Sequence, residues 1–367
     1  MLHVAYYISG HGYGHAVRSI EIIRSMAQKN PFYFFHIKTS APDWLFPLNL
    51  EGNYTLYHQE IDVGTVQHSF HEVDKIATLE KLRKFFSSAD RFIERELHFF
   101  SDVQVQLVLG DIPPLAFAAA YEAGIPAIAI GNFSWDWIYD AYAQDIPGFA
   151  EMVEKVQECY QKADLLLRLP FHGPTPAFRA VKDIGLVARK ARRKATGVRK
   201  MLRLPNSSPP LVLIALRPED LERVDFDRLA GGKRYQFLVL GRKTYTPHAL
   251  NLPQDLMPFP ELVNAADVVV SKPGYGIVSE CIANKTPLVY TSRKDFPEYD
   301  VLVEGLKAYA VSAYIPPDDF FRGNWHEPLE RVLQQTWDRP DLPVTGAQEA
   351  TSHIHRFLAQ IISTGAA

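Results

Sequence analysis

The sequence predicts an α/β protein built from two parallel-sheet domains, and three observations carry that prediction. Strand-length apolar runs alternate with helical patterns along both halves of the chain. Each half has a glycine-rich turn where a strand gives way to a helix, and a proline-rich, basic segment separates the halves. Repeated β-α units pair their strands in parallel and cover both faces of the sheet with helices. A chain of 367 residues exceeds one ordinary core, so two Rossmann-like parallel-sheet domains are expected.

In the first half, residues 3–8 form a β-rich run that ends in a glycine loop. A helix follows, with Ala16, Ile20, Ile23 and Ala27 on one face. Residues 32–39 read as the second strand, and 72–100 as a long amphipathic helical stretch with a break near Ser87-Ser88. Residues 105–109, 127–130 and 165–169 read as short buried strands. Prolines then cluster at 170, 174 and 176 and again at 205, 209 and 210, around a basic run over residues 188–200. A second β-α series places strands at 211–216, 235–241, 267–271, 287–291 and 308–313. Ile354, Phe357, Leu358, Ile361 and Ile362 form a final helical stripe that needs a surface to cover. The expected domains are 1–178, 179–340, and a terminal helix over 341–367 that packs back on the first domain.

Composition narrows the function classes. Hydrophobic residues make up 47% and charged residues 22%, the balance of a soluble globular protein, and a net charge of −3 gives no reason to expect general nucleic-acid affinity. Two isolated cysteines, Cys159 and Cys281, suit a reducing compartment rather than a disulfide scaffold. Met1-Leu2-His3 leads directly into a strand without a charged leader, and no apolar run reaches the length of a membrane span. The expected location is cytoplasmic.

The first glycine loop, Ser9-Gly10-His11-Gly12-Tyr13-Gly14-His15-Ala16-Val17-Arg18, sits where the first strand becomes the first helix. Its glycines, Gly12 and Gly14 among them, let backbone N–H groups approach an anion at the helix N-terminus. A dinucleotide-binding loop has the same shape but requires an acidic residue at the end of the second strand. Here that strand ends in His36-Ile37-Lys38-Thr39-Ser40, which excludes it. What the loop carries instead is His11 and His15, and an imidazole at the carboxyl edge of a sheet can take a proton from a hydroxyl. Asp111 ends a strand at the same edge and is the candidate to orient His15, although an N-cap for the next helix is an equal reading.

The second glycine loop, Ser271-Lys272-Pro273-Gly274-Tyr275-Gly276-Ile277-Val278-Ser279-Glu280, repeats the strand-turn-helix logic. Its backbone N–H groups and the helix dipole suit a diphosphate. The candidate donor contacts are therefore Lys272, Gly274, Tyr275, Gly276, Ser279 and Glu280. Glu280 stands ready for ribose hydroxyls or serves only as favourable charge near a helix start.

These motifs resemble a known family. Tyr6 to Arg18, Asp111 to Pro114, Asn132-Phe133-Ser134-Trp135-Asp136-Trp137-Ile138-Tyr139, Arg168-Leu169-Pro170, Pro176-Ala177-Phe178-Arg179 and Gly274 to Glu280 look, in that order, like the glycosyltransferase-like N-terminal domain of plant L-arabinokinases. No sugar-kinase segment is present in this sequence, so kinase activity is not expected. More widely the chain is similar to GT-B glycosyltransferases, which implies two Rossmann-like domains facing across a cleft and inverting transfer from a nucleoside-diphosphate sugar, expected to be a UDP-sugar, without cofactor or essential metal. The resemblance implies His15 as base, Asp111 as its orienting carboxylate, Glu280 on the ribose, and Glu298 and Tyr299 near sugar hydroxyls. Where relatives place glycines after the first strand of the second domain, this sequence has Ala215-Leu216-Arg217-Pro218-Glu219. Arg217 is either a guanidinium clamp on the diphosphate or a sign of altered donor binding.

Other signals carry less. Asp225-Phe226-Asp227 has the spacing of a metal-diphosphate motif but follows no apolar strand, and is expected to be surface. Trp135 and Asp136, with His11, are candidate acceptor contacts, and simple packing is the competing reading. The basic run at 188–200 is a solvated face or a patch for a phosphorylated or nucleic-acid acceptor. Two alternatives to a transferase stand. One is a nucleotide-sugar hydrolase, because residues 12–18 also resemble the loop of the UDP-sugar hydrolase of pseudaminic acid synthesis. The other is a nucleotide-sugar-binding module without turnover.

Overall fold

The computed structural model describes residues 1–69, 72–204, 209–230, 234–241 and 248–364. Pro205 of the second proline cluster, and the side chain of Ile362 in the terminal stripe, lie outside the described residues. By contact the chain divides into two units: residues 1–66, 74–188 and 343–367, and residues 67–73 with 189–342.

Among the described residues of the first unit, seven strands make one parallel sheet. They are β1 (Leu2–Ile8), β2 (Tyr33–Thr39), β3 (Tyr54–His58), β4 (Val105–Asp111), β5 (Ala127–Gly131), β6 (Leu165–Arg168) and β7 (Val181–Asp183), in the order β3-β2-β1-β4-β5-β6-β7. The central strands are buried on both faces: Val4 to Ile8, Leu107 to Leu109 and Ile128 to Ile130 expose nothing. Their near-continuous apolar runs have that cause. The helices are α1 (Tyr13–Lys29), α2 (Lys75–Phe86), α3 (Ala89–Val103), α4 (Pro114–Glu122), α5 (Trp135–Ala143) and α6 (Phe149–Tyr160). The helical stretch expected over 72–100 is interrupted at Ser87-Ser88, where the chain leaves α2 and enters α3, while Glu72-Val73 is extended instead.

The second unit repeats the plan. Its sheet, again among the described residues, contains β8 (Leu211–Ala215), β9 (Gln236–Leu240), β10 (Ala249–Leu252), β11 (Val268–Ser271), β12 (Leu288–Tyr290) and β13 (Ser312–Tyr314), in the order β10-β9-β8-β11-β12-β13. Its helices include α7 (Tyr275–Asn284), which leaves the second glycine loop, and α8 (Glu298–Tyr309). The last helix, α9 (Gly346–Thr364), belongs to the first unit: Ala347, Ala350, Thr351, Ile354 and Leu358 are buried, and Thr351 Oγ1 donates to Ser25 Oγ of α1 at 2.7 Å.

Three expectations need correction. The boundary at 178/179 moves to 188/189, because β7 pairs with β6 and extends the first sheet through residue 183. The strand expected over 308–313 is in part the end of α8, whose Leu302, Val303 and Leu306 are buried at helical spacing, and the strand proper is Ser312–Tyr314. Strands β3, β7 and β10 give no apolar run, since an edge strand keeps one side partly solvated. Asp225 and Asp227 are exposed, as expected, and Asp225 Oδ1 accepts the Arg228 N–H at 3.0 Å at the start of a helical turn whose Phe226 packs on the second core.

Candidate active site

Both sheets reverse direction of strand addition beside their first strand, between β1 and β4 in one and between β8 and β11 in the other. Loops diverge from the carboxyl edge at such a point, and ligands of open α/β sheets bind there. The two glycine loops follow β1 and β11, so each unit has a glycine loop at its own switch point. In the first unit the Ser9 N–H donates to the Asp111 carbonyl at 2.9 Å, holding the ends of β1 and β4 together. Gly12 caps α1 at φ 80°, a left-handed conformation that favours glycine. At Gly10 a Cβ would meet Ser40 Oγ at 1.9 Å, so only glycine lets the loop lie this close to the end of β2.

This local geometry delivers His15, in the first turn of α1, to Asp111 at the end of β4. His15 Nδ1 lies 2.7 Å from Asp111 Oδ1. Two acceptors do not approach so closely without a proton between them, so the neutral ring carries its hydrogen on Nδ1 and keeps a lone pair on Nε2. Phe133 meets the ring edge-on, with centroids 5.6 Å apart.

Asp111 holds more than the histidine. Arg18 Nε donates to Oδ2 at 2.6 Å and Nη2 to Oδ1 at 2.5 Å, and the Ser19 hydroxyl donates to Oδ2 at 3.1 Å. With His15 that makes four donors, all a carboxylate can take. Burial of Asp111 opposes ionisation, but the charges and hydrogen bonds of Arg18 and His15 prevail and hold its carboxyl below the usual range. The N-cap alternative does not describe it, since α4 begins at Pro114 after Pro113 without a side-chain cap.

The other candidates of this unit fall differently. His11 is half-buried, its Nε2 3.8 Å from Asp62 Oδ1 and its ring edge-on to Trp135. Burial, with a smaller contribution from His15, lowers its basicity against the pull of Asp62. The expectation that Trp135 and Asp136 contact an acceptor is not met, because both are only 1% exposed. The Trp135 indole donates to Asp62 Oδ2 at 3.1 Å and stacks on Tyr139 at 5.7 Å, which makes the tryptophan motif a packing element. Its asparagine has a polar task that the sequence did not announce: Asn132 Oδ1 accepts from Arg18 Nη1 at 2.6 Å.

In the second unit, Gly274 is the N-cap of α7 and makes no side-chain cap, and the first turn holds no acidic residue, an arrangement that suits an anion. A Cβ at Gly274 would meet nothing within 4 Å. Gly276 and the buried Tyr275 lie in the first turn of α7, and the Ser279 hydroxyl donates to the Gly276 carbonyl at 3.1 Å. Lys272 follows β11 and Arg217 follows β8, on the two sides of the switch point. Burial pushes the Lys272 ammonium well below the ordinary lysine range; Arg293 and Arg217 push the same way, against Asp220 and Glu298. Arg217 Nε donates to the buried Asp220 at 2.9 Å, while Arg293, after β12, lies 4.0 Å from Glu298 and covers the Phe296 ring at 3.8 Å. Three cations thus gather at the carboxyl ends of β8, β11 and β12, and Arg293 went unrecognised in the sequence because an arginine after a short strand has no motif around it. Glu298 is 4% exposed, and Tyr299 is half-buried beside it.

Glu280 has a partner that its motif does not indicate. Its Oε1 accepts from Arg189 Nε at 2.6 Å, and both side chains are about 5% exposed or less. That bond engages Oε1 and anchors the carboxylate in the interior of the second unit. Arg189 opens the basic run at 188–200, and Glu261 in turn accepts the backbone N–H groups of Arg192 and Arg193, both at 3.0 Å. Part of that run is therefore anchored rather than solvated.

Comparison with known proteins places the fold. The calicheamicin glycosyltransferase CalG4 superposes with a TM-score of 0.63 at 14% identity, over 98% of this chain and 99% of that one. UGT2 of Phytolacca americana, solved with UDP-2-fluoro-glucose and pterostilbene, superposes with 0.57 at 13% identity, over 98% and 94%. The glycosyltransferase VinC, solved with dTDP, gives 0.55 at 13%, over 98% and 95%. Two parallel sheets with these strand orders and these neighbours define the GT-B fold. In sequence the chain is 31% identical over 337 residues to L-arabinokinase of Arabidopsis thaliana, a match covering 90% of this chain. It spans about a third of that relative's length, 32%. No family model matches the chain. Among the described residues no helix is long and apolar enough to cross a membrane.

Proposed function

We propose that this protein is an inverting, metal-independent glycosyltransferase that moves a sugar from a nucleoside-diphosphate sugar, a UDP-sugar in the first instance, to a hydroxyl acceptor. The observation that carries this is the His15–Asp111 pair at the switch point of the first sheet, with Nε2 left as a base. His15 Nε2 takes the proton of the acceptor hydroxyl as its oxygen attacks the anomeric carbon. The bond from that carbon to the diphosphate oxygen breaks, and the nucleoside diphosphate departs with the electron pair. The N-terminus of α7 and the cations Lys272, Arg217 and Arg293 are suited to carry the charge that develops on the leaving group, the task a metal ion performs elsewhere. The neighbours solved with a UDP-sugar analogue and with dTDP support a nucleotide sugar as donor.

The test is release of nucleoside diphosphate from a panel of UDP- and dTDP-sugars, with and without a mixed hydroxyl-acceptor library. Release that requires an acceptor is the expected result. Equal release in water alone would make the protein a hydrolase, and binding without release would leave it a sugar-nucleotide receptor.

Lys272 also couples binding to pH. Its proton affinity is lowered in the free protein and a diphosphate bound beside it favours the ammonium, so binding takes up protons at pH values where free Lys272 is partly deprotonated. UDP affinity is therefore expected to fall as pH rises through the titration of free Lys272. Calorimetry in buffers of different ionisation enthalpy should show the uptake, and Lys272→Met should abolish it. Buffer-independent heats in the native protein would remove Lys272 from the anion site.

A further inference from the structure

We propose that Arg18, anchored by Asn132, is a positioning residue that offsets the charge of Asp111, so that the carboxylate orients the His15 ring as one half of a neutralised pair. A histidine beside a lone buried carboxylate is stabilised as the cation, and a protonated ring has no lone pair to offer a hydroxyl. Here the carboxylate is shared. Arg18 meets both oxygens of Asp111, at 2.6 and 2.5 Å, and its Nη2 stands 3.0 Å from His15 Nδ1, so the ring faces a neutralised pair. Arg18 is 2% exposed, and Asp111 and Asn132 are fully buried, so no solvent screens the arrangement. Asn132 Oδ1 holds Arg18 Nη1 at 2.6 Å, and its own backbone carbonyl accepts from Gly173 at 3.0 Å. The asparagine of the tryptophan motif thereby acquires a place in the histidine's surroundings, and Phe133 closes the other side.

The groups that face His15 are few. Asp111 approaches from β4 and Arg18 from its own helix. His11 stands on the loop before α1, backed by Asp62, and burial favours its neutral form. Tyr6 on β1 lies near Asp111 and Arg18, and burial keeps its phenol protonated throughout the accessible range. The offsetting charge therefore comes from Arg18.

The experiment is ¹⁵N-histidine NMR on the full chain, with the His15 signal, one of 13 histidines, assigned by its loss in His15→Gln. Native protein should show the Nδ1–H tautomer. In Arg18→Met the midpoint of the His15 titration should rise by about one pH unit or more, the size expected when an adjacent carboxylate is no longer offset. Arg18→Lys, which keeps the charge, should stay within about 0.3 units of native protein, and Asp111→Asn should shift the midpoint down. The double variant Arg18→Met/Asp111→Asn should return towards the native value. An unmoved midpoint in Arg18→Met, or a double variant as low as Asp111→Asn, would overturn the proposal by reducing Arg18 to packing. If Arg18→Met does not fold, comparison of Asp111→Asn with the double variant decides the matter on the same criterion. The tautomeric measurement needs no substrate, whereas the expectation that the acid limb of turnover follows the NMR midpoint rests on the glycosyltransferase proposal. NMR shifts without any matching turnover would count against that proposal and leave the role of Arg18 standing.

Discussion

Replacing His15 by alanine is expected to lower turnover by about 10³-fold while leaving UDP affinity within about threefold of native protein. The asymmetry comes from where each side chain sits. His15 belongs to the first unit, at the end of β1 beside Asp111, whereas the cations suited to a diphosphate, Lys272, Arg217 and Arg293, belong to the second. A base acts only on the proton that moves in the transition state, so its loss falls on the chemical step and not on ground-state binding. Folding should survive, because Asp111 keeps Arg18 and Ser19 when the imidazole is gone, and one lost hydrogen bond costs about 1 kcal/mol. Steady-state rates of diphosphate release, with UDP affinity by calorimetry and a melting curve on the same sample, check all three parts. A variant within threefold of native turnover would mean that another group takes the proton.

The second large effect falls on stability. Glu280→Ala is expected to destabilise the second unit by about 3–5 kcal/mol, because it removes the buried carboxylate that balances the Arg189 guanidinium. For a unit of this size about 3 kcal/mol corresponds to a fall of about 6–12 °C in melting temperature, read by calorimetry as the shift of one transition. Glu280→Gln, which keeps the shape and an acceptor oxygen, should lose less than alanine does. A contact with the ribose would give the opposite pattern, with an unchanged melting curve and weakened UDP binding. Native-like melting in Glu280→Ala would thus return the residue to the nucleotide site.

How much of the site was legible depended on how local each relationship is. The place of His15 follows from a strand, a glycine turn and a helix start within a dozen residues, and all three leave marks in the sequence. Asp111 could be put at the end of a strand, and a parallel sheet brings strand ends to one edge, so its meeting with His15 across 96 residues was within reach. Arg18 was different. It stands in the same glycine-loop motif, but its meaning lies in bonds to residues 93 and 114 positions away, and an arginine on an amphipathic helix otherwise reads as solvent-facing. Trp135 misled for a related reason. An aromatic cluster at a strand's carboxyl edge suits either a ligand or the core, and only the position of Asp62 beneath the indole nitrogen turned it inward.

Edge strands and the domain boundary were missed through the same physics. The half-solvated β7 has no apolar run to mark it, so the proline-rich texture beyond residue 170 suggested that the first domain was already over. The basic run misled in part because charge alone cannot show that Arg189 lies inside against Glu280, with the backbone of its neighbours capped by Glu261.

The amino-acid order by itself determined the α/β class, the two-sheet plan and the glycine turns at both switch points. Those features rest on apolar periodicity and backbone freedom, which act over a few residues and dominate the free energy of folding. Only the tertiary structure decided which polar groups share a partner: Arg18 on Asp111, Glu280 on Arg189, and Lys272 among two arginines. Such pairings depend on strand order and register between distant segments, and a displacement of a few ångströms, invisible in any local pattern, makes or breaks a charge-assisted hydrogen bond.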